Sequence, residues 1–353
     1  AAGPSPLPAY DPRRPLLPAG ADRPLLWRSP AWGGSLQLHP LAARRLPRPP
    51  GPAPWWHLAT RVATAVLSDL HLGAGPVSVR DQLASVVGAL AGLGGVERLV
   101  LLGDVLEVRG SGRQAASQLG RELCQRLAEV GIERPVIVWG NHDHPFARTP
   151  PQGWPGNPQL HYPGIWLRPD AYATHGHYLD CHLLAPPAER LAVAVAARVV
   201  RLGRRSTAAR YEQAVRPIYR ICELTATRRS GGQGPAAAPS PHHRRGWRQA
   251  ARTLAIRLAP GWQEDPAAAE DLALAQAAAA LGATPQYLIY GHTHRPGIRP
   301  LPGSPGRYAV NCGSWQWGPA GPQGWSVLLG SDGPPRLVRL CRNHWQEVTG
   351  AEP

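Results

Sequence analysis

The chain has 353 residues, enough for two domains or for one domain with a large insertion, which excludes a disulfide-stapled miniprotein. Arg supplies all 38 basic side chains against 23 acidic ones, a net charge of +15; Lys and Met are absent, and 39 Gly with 41 Pro leave part of the chain reading as unfolded, a composition typical of GC-rich coding. Five scattered cysteines without a C-x-x-C pair argue against a disulfide framework or zinc knuckle, and no apolar run reaches the ~18 residues of a membrane span, so a soluble, cytoplasmic protein is expected. The start at Ala1 reads as a processed or truncated N-terminus, and no targeting statement leans on it.

Residues 1–60 are rich in Pro and Arg, carry isolated aromatics (Trp27, Trp32, Trp55, Trp56) and show no sustained period; they read as a largely irregular arm. From residue 62, short apolar runs alternate with longer amphipathic stretches: strands at 62–67, 99–102 and 136–139, helices at 78–93 and 113–130. That order is the signature of βαβ units on one sheet. Further strands are predicted at 164–167, 171–174, 287–290, 308–311, 326–329 and 336–340, the last four without helices between them. The expectation is a mixed two-sheet α/β sandwich, its first part at 61–180 and its second at 286–345.

Between these parts, residues 181–285 are Ala-rich and helical in pattern, with candidate helices at 188–205, 207–229, 247–258 and 267–281 and a flexible linker at 230–246. His242 and His243 read as solvated linker residues. The charge is concentrated outside the expected core: residues 1–61 hold eight Arg and two acids, and residues 181–285 hold fifteen Arg and seven acids.

Chemistry-bearing residues recur at predicted strand ends. Asp69 and His71 stand in Ser68-Asp69-Leu70-His71 past the first strand, Asp104 in Gly103-Asp104 past the second, and Asn141, His142 and Asp143 in Gly140-Asn141-His142-Asp143 past the third. His175 follows a fourth strand in His175-Gly176-His177, and His292 and His294 follow a fifth in Gly291-His292-Thr293-His294. Open α/β sheets place their sites at this edge. Two divalent cations held about 3.5–4 Å apart need a shared carboxylate and several N and O ligands, and can then clamp a phosphoryl group. His, Asp and Asn together suit Mn, Fe or Zn better than Ca or Mg alone.

Taken in order, these residues resemble the calcineurin-like metallophosphoesterases, whose motifs run D-x-H, G-D, G-N-H-[DE], H and G-H-x-H. The resemblance covers residues 62–180 and 286–340. It implies a four-layer αββα sandwich with a helical lid insertion and a dinuclear metal centre. Asp69, His71 and His294 would hold one metal, Asn141, His175 and His292 the other, and Asp104 would bridge them. A metal-activated water would attack phosphorus, and His142 would protonate the leaving oxygen or stabilise the transition state. Asp143 is expected to orient the His142 imidazole or raise its pKa. His177 is either a donor behind a metal-bound group or a loop residue; Asn311 reads as structural support of the site, and Cys312 as a small buried residue.

Within the family, Gly103-Asp104-Val105-Leu106-Glu107 and Gly291-His292-Thr293-His294-Arg295-Pro296 look like the branch containing UDP-2,3-diacylglucosamine pyrophosphohydrolase. His142 and His177 depart from it, where that branch carries Arg and Asp. The Arg-rich insertion leaves and returns beside the site, as a lid would, and its guanidinium groups either match phosphate oxygens or form a solvated face. Residues 191–200 read as buried against a neighbouring helix, with contact to a membrane surface as the alternative. The functional expectation is a metal-dependent phosphoesterase acting on a phosphodiester, pyrophosphate or phosphomonoester of a small or lipid-linked molecule. A nuclease or nucleic-acid-binding protein using the basic arm and insertion, and a non-catalytic interaction module on the same fold, are the alternatives.

Overall fold

In a computed structural model of the chain, residues 64–230 and 265–348 are described, except 76, 94, 95, 186, 204, 205, 319, 320, 342 and 343. The expected arm, the 230–246 linker with His242 and His243, and the helix expected at 247–258 lie outside the described residues, the linker's first residue apart.

Two mixed sheets form the body. The first runs in the order β13-β12-β11-β1-β2-β3-β4, with β10 paired to β11: β13 His344–Glu347, β12 Arg336–Cys341, β11 Gly321–Leu329, β1 Thr64–Leu67, β2 Arg98–Leu102, β3 Val136–Val138, β4 Gln159–His161 and β10 Gln316–Gly318. Strands β1 to β4 are parallel, and β11 joins β1 antiparallel. The second sheet has the order β5-β6-β7-β9-β8: β5 Gly164–Arg168, β6 Ala171–Thr174, β7 Tyr287–Tyr290, β9 Tyr308–Asn311 and β8 Gly297–Pro300. Here β6, β7 and β9 are parallel.

The central strands are continuous apolar runs because both of their faces are covered. Val66, Val100 and Val138 of the first sheet pack with Ala173, Ile289 and Val310 of the second. On the outer face of the first sheet, Leu67, Leu101 and Ile137 meet α1 (Val79–Ala91) and α3 (Arg113–Glu129). Helix α1 starts where Ser78 accepts the Asp81 amide, and buries Leu83, Val86 and Leu90 on one stripe. A four-residue turn of helix, α2 (Val108–Ser111), precedes α3, and α4 (His144–Arg148) follows the third motif.

Two further helices, α5 (Ala188–Val199) and α6 (Ala208–Ser230), build a small core of their own from Val193, Ala197, Tyr211 and Val215, together with Tyr178 and Cys181 of a 3-10 turn at His177–Cys181. The apolar 191–200 stretch divides between two environments: Val193, Ala194 and Ala197 are buried, whereas Val195 and Val199 are exposed. Helix α7 (Pro266–Ala280), grouped by sequence with the insertion, packs Leu274 and Ala278 on Leu288 and Tyr290 of the second sheet. It thereby supplies the outer helical layer on that side, so the described layers run helix, sheet, sheet, helix. Strands β4, β8, β10 and β13 and helices α2 and α4 were not expected from sequence, being short and mostly without an apolar run.

Candidate metal centre

The parallel strands of both sheets end at one edge, and their following loops carry the site. After β1 and β2 the chain stays paired: the amides of Asp69, His71 and Leu72 donate to the carbonyls of Gly103, Asp104 and Val105. Asp69, His71, Asp104, His292 and His294 all adopt positive φ between 45° and 66°, five of the seven such non-glycine residues among those described. This sparsely populated region is strained for residues with a Cβ and is held here by the surrounding pairing. The motif glycines answer to close approach. A Cβ on Gly140 would collide with the Asp104 carboxylate, and one on Gly291 with Ser68 and the Asp69 carboxylate.

The nine expected site residues converge, and the expected metal ligands among them fall into two groups. In one, Asp69 Oδ1 lies 3.0 Å from His294 Nε2, and His71 Nε2 lies 3.5 Å from His294 Nε2. In the other, Asp104 Oδ2 lies 3.3 Å from His175 Nε2, and Asn141 Oδ1 stands 3.1 Å from both His175 Nε2 and His292 Nδ1. Asp69, His71 and His294, and likewise Asp104, His175 and His292, can each bring one ligand atom within 4.8 Å of the others. The donor set is carboxylate, imidazole and amide, which fits two borderline divalent cations.

Backbone and side-chain partners fix how these rings point. His175 Nδ1 faces the Leu102 carbonyl at 3.0 Å, which leaves Nε2 for a ligand role. The Asp69 carboxylate accepts the His292 amide at 2.9 Å through Oδ2, leaving Oδ1 toward His294. Burial pushes the Asp69 carboxyl up, yet His175 and His294 outweigh it and bring it down to about 2. Burial likewise disfavours charge on His175, but Asp104 and Asp69 lift its pKa to about 10. This mutual dependence of buried charge is the electrostatic setting a cation would enter.

His142 sits beside the second group. Its amide donates to Asp104 Oδ1 at 2.8 Å, and its Nε2 lies 3.9 Å from Asp104 Oδ2. The expected partnership with Asp143 is corrected by the structure. The Asp143 carboxylate accepts the amides of Gly140 (2.5 Å) and Val105 (2.9 Å) and is wholly buried, so it closes the loop instead of facing the imidazole. The carboxylate on His142 is Glu107, whose Oε2 is 2.7 Å from His142 Nδ1 and 3.6 Å from His71 Nδ1. Burial raises the Glu107 carboxyl, but the hydrogen bond from His142 prevails and holds it near 2. Glu107 closes the quoted Gly103–Glu107 motif and was the available sequence signal.

His177 joins neither group. Its Nε2 meets the Tyr162 hydroxyl at 3.1 Å, and burial drives its pKa well down, which disfavours the charged ring. Asn311 braces the last motif: Nδ2 donates to Thr293 Oγ1 at 2.8 Å while Oδ1 accepts the Gly313 amide. Cys312 is fully buried between the sheets.

Four residues missed by sequence complete the centre. Asp180 Oδ2 lies 2.9 Å from His292 Nε2 and its other oxygen accepts from Arg190. Arg109 donates to the Asn141 carbonyl at 2.8 Å and makes a two-point pair with Glu189 at 2.7 and 2.8 Å. A cleft of about 460 Å³ adjoins the site, lined by Asn141, Arg109, Arg113, Arg148, Arg216 and Arg220 among others.

No protein-family model and no curated protein matches the chain. Among solved structures, a dimetal phosphatase from Danio rerio aligns over 82% of this chain and 99% of that one, at 12% identity and a TM-score of 0.36. At that score the likeness assigns neither fold nor activity.

Proposed function

We propose that the chain is a metal-dependent phosphoester hydrolase of the calcineurin-like type. The observation that carries the reading is the pair of candidate ligand groups, Asp69/His71/His294 and Asp104/His175/His292, brought together by the ends of β1, β2, β6 and β7, with Asn141 Oδ1 aimed into the second from the end of β3. Mn, Fe or Zn would be held by these residues with Asp104 as the shared carboxylate; when bound, such cations supply Lewis-acid polarisation of a phosphoryl group and activation of water.

The chain's own residues supply proton handling and recognition. Glu107 accepts a hydrogen bond from His142 Nδ1–H and favours the imidazolium, so the Nε2–H, on the Asp104 side, is the proton held for the departing oxygen. Guanidinium forks along the cleft support a phosphorylated substrate, either a small molecule or one carried on a lipid. Helices α5 and α6 are proposed as the lid. The exposed Val195 and Val199 leave peripheral membrane contact open to it, and no helix among the described residues is long and apolar enough to cross a membrane. Glu107 and the insertion also suit the pyrophosphohydrolase branch, whereas His142 in place of its Arg favours broader phosphoesterase chemistry. A cytoplasmic setting accords with the free Cys124, Cys181, Cys222 and Cys312 among the described residues.

The test is to strip the protein with chelator, restore Mn, Fe, Zn or Mg one at a time, and assay model diesters, model monoesters and a nucleoside diphosphate sugar. Turnover that depends on metal and on both Asp104 and His142 is expected. Turnover indifferent to chelation, or two bound ions with no hydrolysis of any ester, would overturn the reading.

A further inference from the structure

The insertion reaches the second ligand group through two consecutive residues in the first turn of α5, directly through Glu189 and by way of Asp180 through Arg190. Glu189 Oε1 accepts from Asn141 Nδ2 at 3.4 Å and, with Oε2, grips Arg109, whose Nη2 also holds the Asn141 carbonyl. An amide that donates through Nδ2 on one side presents Oδ1 on the other, and Oδ1 is the atom 3.1 Å from His175 and His292. Arg190 bonds Asp180 through Nε and Glu270 through Nη1 at 3.0 Å, and Asp180 in turn faces His292 Nε2. A carboxylate there keeps the proton on Nε2 and the lone pair on Nδ1, toward Asn141 Oδ1. By contrast, Asp69, His71 and His294 make no hydrogen bond or ion pair with α5 or α6 among the described residues.

We infer that Glu189 and Arg190 are positioning residues for one metal site of the two, so that docking of the insertion and loading of the Asn141/His175/His292 site are thermodynamically coupled. The inference rests on the dinuclear reading above and adds to it an asymmetry. The insertion acts on the metal centre itself as well as covering it. Coupling of this kind is reciprocal: if a docked α5 raises affinity for the ion, the ion stabilises the docked α5 by the same factor. The physical route is orientation. Without Glu189 the Asn141 amide is free to rotate, and without Arg190 the Asp180 carboxylate loses the cation that holds it against His292.

The experiment is Mn²⁺ titration of the chelator-stripped full chain by calorimetry, for wild type, Glu189→Gln and Arg190→Met, with hydrogen exchange of α5 and α6 amides at zero and saturating Mn²⁺. Weakening of one ion by about 10–100-fold, with the other within about twofold, is expected in both variants. In the wild type, protection of α5 should rise on Mn²⁺ binding, and that rise should shrink in the variants. Two ions bound as tightly as in wild type, an equal loss at both sites, or α5 protection unmoved by Mn²⁺ would each overturn the coupling. Should Arg190→Met fail to fold, Glu189→Gln decides alone. Failure of the dinuclear reading looks different: the wild type itself would bind no Mn²⁺.

Discussion

The two ligand groups differ in depth and in what braces them. In the first group the Asp69 carboxylate is fully buried, but the His294 side chain is 46% exposed and that of His71 17%, so its imidazoles form a rim. Asn141, His175 and His292 lie deeper, with the His175 side chain fully buried and that of His292 8% exposed. The rim is braced by the body's own late strands: the Trp315 amide donates to the Asp69 carbonyl, the Trp317 indole to that of Leu70, and Asn311 to Thr293. The deep group is braced from the insertion and α7 through Glu189, Arg190 and Glu270. Imidazoles at a rim can exchange with solvent, whereas buried polar and charged groups need partners on every side. The lesson is that two candidate ligand groups of similar make-up are held by different parts of the fold.

The largest effect should erase the difference. Asp104→Asn removes the carboxylate facing both His142 and His175, and is expected to weaken both ions and bring hydrolysis to background, as metal analysis and turnover would show. Next, Glu107→Gln should leave both ions bound while kcat falls by about 10²–10⁴-fold, because His142 loses the negative charge beside Nδ1 that favours its protonated ring. Asp180→Asn is expected to sharpen the contrast, with affinity for the deep ion alone falling about 10–100-fold in a Mn²⁺ titration. The smallest effect concerns docking. Glu212 of α6 accepts from the Tyr162 and Tyr178 hydroxyls and lies 3.0 Å from His144 Nε2, so Glu212→Gln should cost about 1–3 kcal/mol, seen as a lower Tm.

The same carboxylate sets a pH dependence. Burial raises the Glu212 pKa, but the bond from His144 and the tyrosine hydroxyls bring it below its ordinary 4.5. A carboxyl with a lowered folded pKa contributes stability that is complete above its unfolded pKa and is lost as pH falls through the folded one. Hydrogen exchange of α6 measured from pH 6 down to pH 3 should show protection falling below about pH 4.5 in the wild type, with a flatter profile in Glu212→Gln.

Much of this arrangement was legible in the sequence. The apolar runs of β1, β2, β3 and β7 and the Gly-Asp, Gly-Asn and Gly-His pairs that end them mark where strands stop and ligands begin, because a buried parallel strand and a tight turn each demand a narrow set of residue types. Strands β4 and β13 escaped notice: Gln159–His161 and His344–Glu347 are short edge segments, mostly polar, and owe their conformation to pairing with β3 and β12. Asp143 was misjudged because adjacency along the chain suggested contact with His142. On a tight turn, however, its carboxylate folds back onto the Gly140 amide, and Glu107 arrives from the neighbouring strand's loop.

By itself, then, the sequence determined which side chains stand at which strand ends, since local periodicity and turn chemistry are written within a few residues. Only the tertiary structure decided which carboxylate faces His142, that α7 belongs to the sandwich, and that Glu189 and Arg190 reach the deep ligands. The Glu107–His142, Asn141–Glu189 and Asp180–His292 contacts join residues 35 to 112 apart in the chain, where packing of whole layers sets the distance.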